Sequence, residues 1–207
     1  MDIIESLNWR YAVKKFDSEK LLPQEKIDKI KEAFNLTPTS YGLQPLKMLV
    51  IRDKDLQQQL VPLSFNQQQI GQASDLLVLC AEETIDEAYI VDYFERVKAM
   101  RGTDEDILKP FRDFLISDFG SKSQSEIFAW AVNQVYIALG NLMTVCAAEE
   151  IDACPVEGFI PDEYDKVLKL NEKGLRSVLV MPIGYRAEDD ILADLAKVRK
   201  PLTDVIL

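Results

Sequence analysis

Residues 127–148 read IFAWAVNQVYIALGNLMTVCAA, from Ile127 to Ala148 without one formal charge, and the housing of this stretch decides the fold. A helix of that length could cross a bilayer. Its flanks argue otherwise, because Glu126 precedes it and Glu149 and Glu150 follow it, where a span would favour Lys and Arg. Asn133, Gln134 and Asn141 also interrupt it at helical spacing, on roughly one face. The stretch therefore reads as a helix buried in a soluble core or at an interface between two chains.

Working outward, Leu76-Leu77-Val78-Leu79-Cys80-Ala81 is apolar throughout, which predicts a strand covered on both faces at the centre of its sheet. Leu46–Arg52 and Leu175–Tyr185 are the other strand candidates. Helices are expected over Met1–Arg10, from Pro23 through Phe34, after Lys54, around Asn66, over Thr84–Met100, from Asp104 to about Ser117, and over Pro161–Leu170. Arg10-Tyr11-Ala12-Val13-Lys14-Lys15-Phe16 looks extended and basic, and Thr37-Pro38-Thr39-Ser40-Tyr41-Gly42 forms a loop. No repeat or linker-like shift in composition appears, so residues 1–207 are read as one α+β domain. The apolar end, Val205-Ile206-Leu207, would be wet on a monomer and is expected to cover something, such as a partner subunit.

Composition sets the chemistry. With 35 acidic against 24 basic residues the net charge is −11, which argues against broad contact with nucleic acid; any bound anion must meet a local basic cluster. There is no histidine. Ser-His-Asp and Cys-His catalysis and His-containing metal sites are thereby excluded, no metal is expected, and borrowed cofactor chemistry is the economical route to activity. Cys80, Cys146 and Cys154 form no C-x-x-C unit and cannot all pair, which suits a reducing compartment. The start, Met1-Asp2-Ile3-Ile4-Glu5, lacks a basic region and an apolar run, so a cytoplasmic location away from membranes is expected.

The sequence has no G-x-G-x-x-G, no phosphate-loop signature and no G-x-S-x-G. It does carry two basic clusters at opposite ends of an acidic chain, Arg10-x-x-x-Lys14-Lys15 and Lys197-Val198-Arg199-Lys200, which could converge on one phosphate. Each alone reads better as solvated surface charge.

Six segments in order carry a resemblance over almost the whole chain. They are Arg10-Tyr11-Ala12-Val13-Lys14-Lys15-Phe16-Asp17, Thr37-Pro38-Thr39-Ser40-Tyr41-Gly42-Leu43-Gln44-Pro45, Phe65-Asn66, Gln134-Val135-Tyr136 with Gly140-Asn141, Pro155-Val156-Glu157-Gly158-Phe159, and Lys197-Val198-Arg199-Lys200-Pro201. Together they resemble the FMN-dependent nitroreductase family, and within it the bacterial oxygen-insensitive NAD(P)H nitroreductase and dihydropteridine reductase group. The resemblance implies a mostly antiparallel central sheet surrounded by helices, in an intertwined homodimer whose C-terminal strand is exchanged. It also implies two FMN sites lined by both chains, with NAD(P)H as electron donor and a small-molecule acceptor.

Carried over by position, Arg10, Lys197 and Arg199 clamp the flavin phosphate, Lys14 reaches the N1/O2 side of the ring, and Asn66 bonds its pyrimidine edge. Tyr11, Ala12 and Gln69 belong to the same lining. Pro38, Thr39, Ser40 and Gln44 come from the loop after the second helix, the first three from the other subunit. Pro155, Val156, Glu157 and Gly158 lie along the ring, with a backbone N–H of Glu157 or Gly158 aimed at N5. The chemistry belongs to the flavin, with Lys14 and Glu157 in support, and Tyr41, Phe111 and Phe114 are candidates to contact the acceptor. Four positions depart from the group's pattern: Tyr11 stands for His, Ala12 for a hydroxyl residue, Gly42 for Asn and Gln69 for Lys. The last removes a positive charge beside the flavin and implies a lower reduction potential. Gln134 and Asn141 are read as internal hydrogen-bonders, not ligands.

Overall fold

The computed structural model describes residues 2–206. α1 spans Ile3–Trp9, and after an extended run α2 spans Gln24–Asn35. β1 (Leu46–Ile51), α3 (Lys54–Leu60), α4 (Gln69–Gln72) and β2 (Asp75–Glu82) follow. Three helices then run in succession, α5 (Glu87–Arg101), α6 (Glu105–Gly120) and α7 (Gln124–Ala148), before β3 (Asp152–Ala153), α8 (Pro161–Val167) and β4 (Leu175–Gly184).

The sheet has the order β1-β2-β4-β3 with every neighbouring pair antiparallel. β2 is central, as its unbroken apolar run predicts. Successive strand side chains point to opposite faces, and here Leu77, Leu79 and Ala81 join the core under α5, α6 and α7 while Leu76, Val78 and Cys80 join a second core with Leu60, Ile70 and Tyr164. All six are fully buried. At about 1.5–3 kcal/mol for each large aliphatic side chain taken out of water, this strand anchors both layers. A bulge between Leu79 and Cys80 shifts the pairing from Leu179 to Ser177 across β4.

The charge-free stretch is α7, and its ends explain the acidic flank. Ser123 Oγ accepts the Glu126 N–H at 3.3 Å and the Glu126 carboxylate accepts the Ser123 N–H at 2.8 Å, a reciprocal cap whose negative charge suits a helix N-terminus. Ile127, Ala131, Val135, Ala138, Leu142 and Cys146 are buried in the core, whereas Asn133, Tyr136, Ile137 and Gly140 are exposed. The helix thus serves the core with one side and presents the other outward.

Local chemistry moves some boundaries from their expected places. α5 starts at Glu87 and not Thr84 because the Asp86 carboxylate caps the Tyr89 N–H at 2.9 Å, and it stops at Gly102, whose φ of 64° is left-handed. α6 continues past Ser117 to Gly120, and α8 closes at Val167. No helix forms around Asn66, because Phe65 and Asn66 have φ of 53° and 59°, and helix resumes only at Gln69. Beyond Tyr185 the chain becomes an arm with no α-helix or strand among its described residues, only a 3₁₀ turn at Leu202–Asp204. Val205 and Ile206 are exposed in the single chain, and Leu207 lies outside the described residues.

Candidate functional site

The segment from Arg10 to Phe16 is held along the open edge of β3. Ala12 bridges Ala153 in parallel, the Val13 N–H reaches the Ala153 carbonyl at 3.4 Å, and Phe16 bridges Arg186. The arm returns to the same place: the Ala187 N–H donates to the Lys15 carbonyl at 2.9 Å, and Lys197 Nζ donates to the Asn8 carbonyl. The Arg186 guanidinium pairs with Asp152 and lies 4.3 Å from the Trp9 ring centroid and 4.5 Å from that of Tyr11, so a charged plane is clamped between two aromatic faces.

This arrangement brings Arg10, Lys197 and Arg199 together from opposite ends of the chain. Burial first, and then Arg199, holds the Arg10 guanidinium below its ordinary pKa. Burial first, then Arg10 and Arg199, does the same to the Lys197 ammonium. Arg186, itself paired with Asp152, adds to the effect on Lys197, and among the described residues no carboxylate is a leading influence on Arg10 or Lys197. Three cations brought together in an acidic protein are a local basic cluster of the kind an anion would need.

Lys14 lies beside this cluster. Its backbone N–H donates to the Asp190 carboxylate at 3.0 Å and its ammonium meets Cys154 Sγ at 3.5 Å. Burial pushes the Cys154 thiol up, against the smaller opposing pull of Lys14, so the sulfur is a neutral acceptor. The Gln69 side chain also reaches Cys154, donates to Gln67 Oε1 at 2.9 Å and is only 5% exposed. Gln67 in turn donates to the Gly158 carbonyl at 2.7 Å, which joins the loop holding Asn66 and Gln69 to the Pro155–Gly158 segment. A Cβ on Gly158 would come within 3.1 Å of Gln67 Nε2, so that join is close. Val156 is pinned to Val180 by two backbone bonds, at 2.8 and 3.0 Å. The next two N–H groups, of Glu157 and Gly158, have no backbone acceptor among the described residues and remain available to an external one.

A second patch forms around the Pro38–Ser40 loop. The Ser40 N–H donates to Gln134 Oε1 at 2.9 Å, and the Gln134 amide donates to the Trp130 carbonyl at 3.1 Å. Asn141 donates to Thr37 Oγ1 and the Ala33 carbonyl, each at 2.9 Å, so both α7 amides are internal bonders as expected. Tyr41, with φ of 60°, stacks near Trp130 at 6.2 Å between centroids and meets Phe111 and Phe119 edge-on at 6.2 and 6.3 Å. Phe111 stacks near Phe114 at 6.3 Å. Tyr41, Phe111 and Phe114 are 40%, 45% and 55% exposed, an open aromatic surface suited to a planar ligand. Gln44 joins neither patch within its own chain: its amide donates to the Asn35 carbonyl at 3.0 Å, and it lines a separate cleft of 330 Å³ with Tyr89, Asp92 and Arg96.

α7 stands between the patches. Gln134 faces the Ser40 loop, while Tyr136 donates to Glu157 Oε1 at 2.6 Å on the cationic side. Two residues apart on a helix of 3.6 residues per turn point about 200° apart. Two of the four sequence departures also find their causes here. A Cβ on Gly42 would sit 2.6 Å from Tyr93 Oη and its φ is 74°, so a side chain here requires the Tyr93 ring to shift. Tyr11 spends its hydroxyl on Asp190 at 3.1 Å and its ring on Arg186. Sequence reasoning missed Asp190 and Cys154 as parts of these constellations. Asp190 is one of two adjacent aspartates in an acidic chain and carried no signal of its own.

Solved structures share this fold. A nitroreductase family protein of Streptococcus pneumoniae superposes with a TM-score of 0.84 at 22% identity, covering 100% of this chain and 99% of the other. A protein of Exiguobacterium sibiricum assigned as a nitroreductase, and solved in complex with FMN, superposes with a TM-score of 0.85 at 20% identity, covering 99% and 96%. In sequence, residues 7–185 match the nitroreductase family. The chain is 32% identical over 215 residues to the oxygen-insensitive NAD(P)H nitroreductase of Salmonella typhimurium, covering 98% of this chain and 97% of that one. The chain belongs to the nitroreductase family.

Proposed function

We propose that this protein is an FMN-dependent oxidoreductase that takes hydride from NAD(P)H and reduces nitro-aromatic or quinone-like acceptors, working as a homodimer with two composite sites. The observation that carries this reading is the meeting of Arg10, Lys197 and Arg199, a local basic cluster fitted to a phosphate monoester. Its support is the E. sibiricum structure solved with FMN and the Salmonella relative named for NAD(P)H.

When bound, FMN supplies hydride acceptance and two-electron delivery in a ping-pong order. The chain's own residues bind, orient and polarise. Arg10, Lys197 and Arg199 hold the phosphate, and the Lys14 ammonium supplies positive charge on the side where the reduced ring gathers negative charge. Asn66 and Gln69 face the ring's polar edge, and the unpaired N–H groups of Glu157 and Gly158 offer donors along it. The loop of Pro38, Thr39 and Ser40 completes the flavin lining from the other subunit, and Tyr41, Phe111 and Phe114 stack the acceptor.

The position of α7 supports the dimer. Within one chain the cationic patch and the Ser40 loop lie on opposite sides of this helix, so one site containing both draws on two chains. The exposed apolar residues Ile3, Ile4, Leu7, Tyr136, Ile137, Val205 and Ile206 provide the surface for such pairing, with the tail exchanged onto the partner.

An anaerobic absorbance spectrum before and after NADH, then NADPH, tests the reading. The expected result is a yellow protein that bleaches with at least one donor and recovers its colour with a nitro-aromatic or a quinone. Recovery only with a dihydropteridine precursor, a free flavin or an enone would replace the acceptor class. A flavin that ignores both donors would make the protein a flavin-binding sensor instead.

A further inference from the structure

Lys14 belongs to no helix and to no strand, yet a charge that stabilises a developing anion works only if it is held in place beforehand. Its backbone is held by a residue 176 positions away. One oxygen of the Asp190 carboxylate accepts the N–H of Lys14 at 3.0 Å, the N–H of Lys15 at 3.3 Å and the hydroxyl of Tyr11 at 3.1 Å, while the other accepts the Leu192 N–H at 3.1 Å. Asp190 is 5% exposed and has no cationic side chain in ion-pair contact among the described residues; it is the neighbouring Asp189 that pairs with Lys15. A buried carboxylate satisfied by three donors from one short segment fixes that segment's backbone. With the backbone fixed, the Lys14 side chain has one anchored root and one anchored tip, the latter at Cys154. Asp190 also lies on the arm that carries Lys197 and Arg199, beyond the tethers at Arg186 and Ala187, so one side chain ties that arm to the segment that bears Arg10 and Lys14.

We propose that Asp190 is a positioning residue for the flavin chemistry: it clamps the Tyr11–Lys15 segment so that the Lys14 ammonium is presented to the reduced ring. This rests on the FMN reading above.

The test compares Asp190→Ala, Asp190→Asn, Lys14→Met and the double variant Asp190→Ala/Lys14→Met in the reconstituted holoprotein. The readouts are the flavin midpoint potential and the FMN dissociation constant of the apoprotein. A clamp acting through Lys14 lowers the midpoint in Asp190→Ala toward that of Lys14→Met, by up to about tenfold in the reduced-to-oxidised ratio, or about 30 mV for two electrons. The double variant then matches Lys14→Met alone, because the second change has nothing left to displace. Asp190→Asn, which keeps one acceptor oxygen for the donors of Tyr11, Lys14 and Lys15, retains most of the wild-type potential. Additive shifts in the double variant, or an unchanged midpoint in Asp190→Ala, would overturn the proposal. If Asp190→Ala does not fold, Asp190→Ser, whose short hydroxyl cannot bridge the donors of Lys14, Lys15 and Tyr11, carries the same comparison alone and combined with Lys14→Met. Failure of wild-type apoprotein to take up FMN would instead refute the cofactor reading, a separate outcome.

Discussion

The two patches on either side of α7 are built by opposite means. The cationic patch is assembled from irregular backbone: the Arg10–Phe16 run, the Phe65–Asn66 turn with its left-handed residues, the Pro155–Gly158 segment and the arm beyond Arg186. Hydrogen bonds between residues far apart in sequence hold it. The aromatic patch is assembled from α6 and α7 with one loop laid on them, and ring packing holds it. The first arrangement fixes point charges at specific places, as a charged cofactor requires. The second leaves an open stacking surface that selects ligands loosely, which suits an enzyme accepting more than one planar acceptor.

If that contrast is right, the largest effect comes from the cations. Arg10→Ala and Arg199→Ala should each weaken FMN retention by about 1.5–3 kcal/mol, the worth of a charge-assisted hydrogen bond, with little change in melting temperature of the apoprotein. Flavin-to-protein ratio after desalting measures it, and full retention in both variants would break the assignment of the phosphate site. Gln134→Leu should act in the opposite sense, on stability first. It removes the acceptor of the Ser40 N–H and the donor to the Trp130 carbonyl and should cost about 0.5–1.5 kcal/mol per bond in thermal or denaturant unfolding, while FMN phosphate affinity changes less. Equal losses of both would mean that the patches are not separable.

A smaller effect is expected at Gln69. Its side chain and Lys14 meet the same sulfur, so Gln69→Lys would place a second ammonium beside Lys14 and raise the flavin midpoint; potentiometric titration that found no shift would remove Gln69 from the flavin lining.

The smallest effect concerns acid. Burial, the largest single influence on Asp190, pushes its pKa up, but the N–H donors of Leu192, Lys14 and Lys15 and the Tyr11 hydroxyl together bring it below the ordinary aspartate value. A carboxyl whose folded pKa is depressed contributes stability that is present above the unfolded pKa of about 4 and is lost as pH falls through the folded value. Asp190→Asn should therefore narrow the gap in melting temperature between neutral and acid conditions. An unchanged gap would show that Asp190 does not contribute to it.

The legible parts of this molecule were those with a sustained apolar pattern. The central position of β2 and the burial of α7 followed from uninterrupted apolar runs, because a strand covered on both faces has no polar side to display. The roles of Gln134 and Asn141 as internal bonders followed from amides set in a charge-free helix. The irregular segments were legible only as a resemblance. The two αL residues at Phe65 and Asn66 follow no apolar period, and the seam between the arm and the Arg10–Phe16 run depends on backbone bonds that any residue type could make. Asp190 shows the limit most plainly, since in an acidic sequence a buried clamp and a solvated charge have the same letter.

The position of α7 between the patches has a consequence for inheritance of damage. If each working site takes its cations from one subunit and its Ser40 loop from the other, a chain crippled at Arg199 and a chain crippled in that loop are not equivalent defects. Co-expressed, they would form mixed dimers in which one site collects both lesions and the other collects none, so two inactive alleles would complement each other and restore half the sites of each mixed molecule.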